Sequence, residues 1–297
     1  MFKNSFKRVL KFILVMFFGF WFSTSASATI DETGALIDNN TFDSAYSLGY
    51  WQYHPSIICR LPADKKEAFF QFRINRGDRV YARVALEQEL MSTGMSIQIF
   101  NTNRLPIGEP SILVANPTSL IPFIFANIDG TSNSETLYIK VTRGNSVGDI
   151  LFPVRVENRI STGLKTFDFV GTVSNPGNPN ILTNPSGVDS SVIYMDLTNN
   201  STIPNRAIVK SITTASSITP SIRGITHKIL SPQTNIWYSS IVSSATYGAY
   251  SLTTANNLAV ARKWAFKYNA TATSPSKISN VKATINYEYD LTNQFIF

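Results

Sequence analysis

The chain has 297 residues, of which 43% are apolar, with 26 Lys and Arg against 19 Asp and Glu, a net charge of +7. Four of the basic residues fall in the first 28 positions, so the remainder carries 22 against 19, a net of +3, too little to read as a nucleic-acid-binding surface. A single cysteine excludes a scaffold stapled by disulfides, so stability must come from buried cores.

The first segment reads as an export signal. Lys3, Lys7, Arg8 and Lys11 precede the apolar run "FILVMFFGFWF" (residues 12–22), which is too short to span a bilayer as a stable helix. "STSASA" follows, with Ala26 and Ala28 at the −3 and −1 positions of a small-residue cleavage site. Cleavage after Ala28 is expected, giving a secreted, extracellular protein; the competing reading is a retained N-terminal anchor. No later stretch is long and apolar enough to insert stably in a membrane.

Beyond the leader, alternation with period two dominates and helical periodicity is nearly absent. "EAFFQFRI" places Phe70, Phe72 and Ile74 on one side, and "DRVYARVAL" places Val80, Ala82, Val84 and Leu86 against Arg79, Tyr81 and Arg83. "MSIQIF", "TLYIKVT" and "LFPVRVEN" repeat the pattern, as half-buried antiparallel strands do. "ALEQELM" is long enough for one helical turn only. Between these first two strands lies "NRGD". Arg76-Gly77-Asp78 matches an adhesive triplet, but a Gly that takes positive φ and an Asp that bonds nearby backbone account for it as a hairpin turn. Cys59 lies in the apolar run "SIICRL" and reads as a buried thiol, with an interchain disulfide as the alternative. Around residues 157–165 the chain turns polar and then rich in Ser, Thr and Asn, so a second domain is expected over 165–297. "SVIYMDL", "NRAIVKSIT", "ARKWAFKYNA" and "SNVKATINYEYDL" are its strand candidates, and its stripe of Trp264, Phe266 and Tyr268 reads as core.

Residues 38–157 resemble the bacterial pre-peptidase C-terminal domain family. The resemblance rests on "NNTFDSAYSLG" (39–49), on "DKKEAFFQFRINRGDRVYARV" (64–84), and on "MSIQIFNTN" and "ETLYIKVTRG" further along. It implies a jelly-roll-like β-sandwich of the kind appended to secreted peptidases, with the Gly-Asp turn as a family feature. In that family the domain usually follows a catalytic one, whereas here it comes first, which separates the resemblance from proteolysis.

Chemistry-bearing motifs are sparse. The two histidines, His54 and His227, form no His-Glu-x-x-His pair, and no Gly-x-Ser-x-Gly elbow is present. Both histidines read as strand residues, His227 pointing to solvent. No catalytic residue is assigned. Asp38, Asn40 and Asp43 crowd the entry to the first domain as hard oxygen donors for calcium, although a solvated turn with Asn and Asp caps is the favoured explanation. The family resemblance implies a calcium response in the same region. No other cofactor is indicated. Tyr50, Trp51 and Tyr53 form a candidate ligand surface, because consecutive strand residues face opposite ways and at least one ring should be exposed.

These readings converge on an all-β, two-domain secreted bacterial protein that is not an enzyme and binds an extracellular protein or polysaccharide. An extracellular hydrolase with an unrecognised site in the second domain is one alternative. A β-rich toxin-like or assembly subunit is the other.

Overall fold

The computed structural model describes residues 27–297, so the leader lies outside the described residues apart from its last two positions. The chain is nearly all β and divides into two compact units, one reaching Glu157 and one spanning Asn158–Ile296. Among the described residues helical structure is limited to short 3-10 turns, one of them at Gln88–Leu90 inside the segment expected to make a single turn.

In the first unit the strands are β1 (Thr29–Ile30), β2 (Leu36–Ile37), β3 (Tyr46–Tyr50), β4 (Ile57–Leu61), β5 (Glu67–Ile74) and β6 (Arg79–Ala85). They are followed by β7 (Ser96–Phe100), β8 (Pro106–Ser111), β9 (Phe123–Asp129), β10 (Glu135–Thr142) and β11 (Ile150–Asn158). Two sheets result, ordered β1-β2-β4-β11-β6-β9 and β3-β5-β10-β7-β8. Pairing is mostly antiparallel, but β2–β4 and β3–β5 are parallel. The inward phase of each strand fills one shared core, including Phe70, Phe72, Val80, Val84, Ile97, Ile99, Leu137, Ile139, Phe152 and Val154. Burying large side chains of both sheets against one another stabilises each by about 1.5–3 kcal/mol. The unit also takes in residues 29–37, ahead of the expected start at 38, because β2 docks on β4 with Leu36 opposite Cys59.

The "NRGD" turn is not a hairpin. β5 lies in one sheet and β6 in the other, so the turn is an arch across the sandwich. Its contacts explain why. Gly77 has φ +89 and donates from its N–H to the Gly130 carbonyl at 3.1 Å, while Gly130 N–H donates to the Asp78 carbonyl at 2.8 Å. The arch therefore bonds the loop after β9 rather than closing a two-strand ladder. A hairpin and an arch demand the same alternation and the same turn residues, so only the pairing partners separate them.

In the second unit the strands are β12 (Ile160–Asp168), β13 (Val173–Asn175), β14 (Val188–Asp189), β15 (Ile193–Asp196) and β16 (Ile208–Thr219). Then come β17 (Ile225–Ser231), β18 (Ile236–Ser243), β19 (Tyr247–Tyr250), β20 (Lys263–Ala270) and β21 (Ser276–Asp290). Their order is β12-β21-β16-β19-β18-β17-β20-β14, with β13 on β21 and β15 on β20, and the pairings are antiparallel. Because β12 pairs β21 along its length, the unit begins before the expected residue 165. β18 is the corner. Its first half pairs β17 and its second half β19, with a register shift between Ser240 and Val242. A bulge of this kind bends a strand and lets one hydrogen-bonded path fold over a core. That core holds Trp264, Phe266 and Tyr268 with Val209, Ile229, Ile278, Val281 and Ile285, so the expected aromatic stripe is interior.

Candidate functional site

The first candidate surface is an aromatic corner at the end of β3. Tyr50 and Trp51 do not point to opposite faces; their rings lie 6.0 Å apart, and Tyr53 sits 5.6 Å from Tyr50. The strand rule lapses because β3 stops at Tyr50, after a register break and a Gly49 with φ +67. Of the three, Trp51 packs on the first core, and the Tyr50 hydroxyl donates to Asp78 Oδ2 at 2.8 Å. Burial and that carboxylate raise the Tyr50 pKa. Tyr53, 81% exposed, is the one ring free for a ligand. Asp78 Oδ2 also accepts from Asn75 N–H at 2.7 Å, so the carboxylate an adhesive triplet would offer is committed within the turn.

The expected calcium donors Asp38 and Asp43 have separate partners. The exposed Asp38 accepts from the Thr29 hydroxyl at 3.0 Å, and Asp43 pairs with Arg104. Asn40 is half-buried in the turn leading to β3. The neighbouring Asn39 is buried and structural, its amide donating to the Phe69 carbonyl at 3.0 Å. Among the described residues no group of three or more His, Cys, Asp or Glu side chains is placed to hold a metal ion.

His227 is fully buried rather than solvent-facing. Its Nδ1 lies 2.9 Å from the Thr214 hydroxyl, which is 3.2 Å from the Tyr250 hydroxyl, and its ring meets Phe266 edge-on at 5.2 Å. Nε2 is buried without a hydrogen-bond partner. Burial lowers the imidazole pKa to about 4, and the Ala245 backbone opposes this only weakly. Cys59 is likewise buried, its thiol pushed up to about 12 by burial and its Sγ 3.5 Å from Asn39 Oδ1. A thiol so placed is not available for an interchain disulfide.

A second surface was not anticipated. It is the outer face of the sheet formed by β15, β20, β17 and β18. In register across these strands stand Tyr194, Ala265, Leu230 and Trp237. Their inward neighbours Met195, Trp264 and Ile229 are buried, so alternation turns the row outward. Three strand spacings separate the two aromatic residues, about 14 Å. Between them lie Ala265, which is itself buried, and Leu230, which is partly buried. Tyr194 is 49% exposed.

Charged groups brace the row. Asp189 meets Lys228 at 2.8 Å and Lys267 at 2.6 Å, and accepts from the Asn269 amide at 3.0 Å. Burial alone would raise the Asp189 pKa, but the two ammonium groups and the amide outweigh it and hold the carboxyl at about 2. The Lys267 ammonium also lies 4.3 Å from the Trp237 ring centroid, and its side chain is 17% exposed. Lys263 lies 4.8 Å from the Tyr194 centroid. The signal in the sequence was the second phase of "ARKWAFKYNA", where Lys263, Ala265 and Lys267 alternate with the core aromatics.

The first unit also has an apolar cavity of about 600 Å³ bordered by Ile58, Leu86, Ile121, Leu151 and Phe152. Few polar groups converge there to orient a ligand. Among the described residues no helix is long and apolar enough to cross a membrane.

Sheets and surfaces together define a two-unit, all-β protein with aromatic residues in register across one sheet face. No protein-family model matches the chain. It is 42% identical over 274 residues to the uncharacterized protein YbdN of Bacillus subtilis (strain 168), covering 92% of this chain and 94% of that protein. The chain belongs to the same family as YbdN. Among solved structures, it is similar to the pre-peptidase C-terminal domain of a Bacillus anthracis collagenase at 16% identity and TM-score 0.29, over 38% of this chain and 94% of that one. It is also similar to the CBM22-1-CBM22-2 tandem domain of Paenibacillus barcinonensis Xyn10C at 9% identity and TM-score 0.27, over 79% of this chain and 88% of that one.

Proposed function

We propose that this is an exported, non-catalytic recognition protein whose second unit binds an extracellular polysaccharide along the row from Tyr194 to Trp237. The observation that carries the reading is the registered placement of two aromatic residues, Tyr194 exposed and Trp237 partly buried, about 14 Å apart. Sugar rings present apolar C–H faces that stack on aromatic planes, and an extended chain can touch both rings where a single sugar cannot. The strands hold the row in place without ligand, so little ordering entropy opposes binding. The partly exposed ion pairs of Asp189 fix Lys228 and Lys267 as polar partners for hydroxyl groups at the row's margin.

The test is retention of the full chain in native gels containing a soluble polysaccharide, for wild type, Trp237→Ala and Tyr194→Ala. Each substitution removes one stacking contact, on the order of 1 kcal/mol or several-fold in affinity. Tyr53→Ala serves as a control on the other unit and should leave retention unchanged. If Trp237→Ala and Tyr194→Ala migrate like wild type in every polysaccharide that retards the wild type, the proposal fails.

A further inference from the structure

At the end of this same sheet lies a cavity of about 480 Å³, lined by Asn205, Arg206, Gln233, Asn257 and Arg262 among others, and by no acidic residue. Arg262 is three residues from Ala265 along the chain, and Gln233 three from Leu230, so the cavity opens about 10 Å along the strands from the aromatic row. Neither arginine forms an ion pair with a described residue. Asp196, the acid on the neighbouring strand, stands opposite Lys263 and accepts from Thr198 N–H at 3.0 Å. Two guanidinium groups therefore border one concavity whose lining holds no acidic residue.

The walls are fixed. The Gln233 amide donates to the Asn257 carbonyl at 2.8 Å and accepts from Ala259 N–H at 3.1 Å. The loop bearing Arg206 is held by Gln294, which accepts from Asn205 N–H at 3.1 Å and donates to the Asn205 carbonyl at 3.0 Å. Arg206 itself has φ +59, a left-handed conformation that Asn adopts more readily than Arg. Guanidinium groups recognise carboxylate and phosphate oxygens through paired N–H donors, and charge-assisted bonds of this kind are stronger than neutral ones.

We infer that the Arg206–Arg262 cavity takes an anionic substituent of the polysaccharide, so the ligand is an acidic glycan rather than a neutral one. This rests on the stacking row proposed above. The shared chemistry is a carboxylate or phosphate carried on a chain of sugars or polyols. Uronic acid polymers and phosphodiester-linked wall polymers both supply it.

The experiment compares retention of the full chain in gels containing polygalacturonate, a poly(glycerol phosphate) polymer or neutral xylan. Wild type, Arg206→Asn, Arg262→Gln, the double variant and Trp237→Ala are run at low and high salt. Arg206→Asn removes the charge while suiting the left-handed backbone, so loss of binding would not reflect loss of fold. Wild type should be retained by one or both acidic polymers, and the one retained identifies the source of the anion. Each arginine substitution should weaken that retention roughly tenfold, and salt should weaken it in wild type more than in the double variant. Wild-type retention of xylan should be weaker and unaffected by either arginine change. The inference is overturned if the double variant binds acidic polymers like wild type, if xylan is retained equally well, or if neither acidic polymer is retained. Should the arginines prove neutral while Trp237→Ala still abolishes retention, only the anionic assignment falls and the stacking row stands.

Discussion

Acidification should loosen the second unit through His227. The imidazole is fully buried, with Thr214 on Nδ1, no partner on Nε2 and Phe266 against its ring edge. Tyr250, reached through Thr214, is the nearby titratable group, and it stays protonated throughout the range concerned. Folding lowers the His227 pKa from 6.5 to about 4. Above pH 6.5 both folded and unfolded forms are neutral, and the residue adds no pH dependence. Between 6.5 and 4 the unfolded chain takes up a proton that the folded one refuses, so stability falls as pH falls, and below 4 the loss levels off. From pH 7.5 to 4.5 this amounts to roughly 2–3 kcal/mol. For a unit of this size the corresponding drop in melting temperature is roughly 10 °C.

The assay is thermal or urea unfolding followed by tryptophan fluorescence at both pH values, for wild type and His227→Leu. The carboxylates titrate in both proteins, so the informative quantity is the difference between them. The leucine variant should lose roughly 2–3 kcal/mol less than wild type over the same interval. Asp189 does not interfere, because its depressed pKa places its contribution above 3.8 and its loss between 3.8 and about 2. Equal pH dependence in the two proteins would refute the argument.

Gly130→Ala should destabilise the first unit by roughly 3 kcal/mol or more, because its Cβ would meet the Asn75 carbonyl oxygen at 2.0 Å and force the arch off the loop after β9; a wild-type urea midpoint would contradict this. Cys59 should resist thiol reagents in native protein at pH 8 and react on unfolding, since burial pushes its pKa to about 12; stoichiometric labelling of the folded chain would show the side chain to be accessible. Calcium and chelator should give the same melting temperature, as Asp38 bonds Thr29 and Asp43 pairs with Arg104. A calcium-induced rise of several degrees would mean that these carboxylates regroup around the ion.

Alternation was sufficient to place strands such as β5, β6, β10 and β21 and to assign Phe70, Val80, Leu137 and Ile285 to cores. Hydrophobic burial is a local preference repeated every second residue, so it is written along the chain. It was sufficient, too, for the interior stripe of Trp264, Phe266 and Tyr268.

What a strand pairs with, and which face of it meets solvent, is decided by distant residues. The "NRGD" turn bridges two sheets only because Gly130, more than fifty positions away, accepts and returns its hydrogen bonds. His227 occupies an inward position of β17 and faces the core only because Phe266 and Thr214, on other strands, close over it. Tyr194 and Trp237, 43 positions apart in the chain, share one row only through the registers of β15, β20, β17 and β18. Period-two patterning determined that this chain would be built from sheets with buried aromatic faces; the non-local ladder determined which outward side chains became neighbours, because backbone hydrogen bonds carry no side-chain signature until the partner strand is in place.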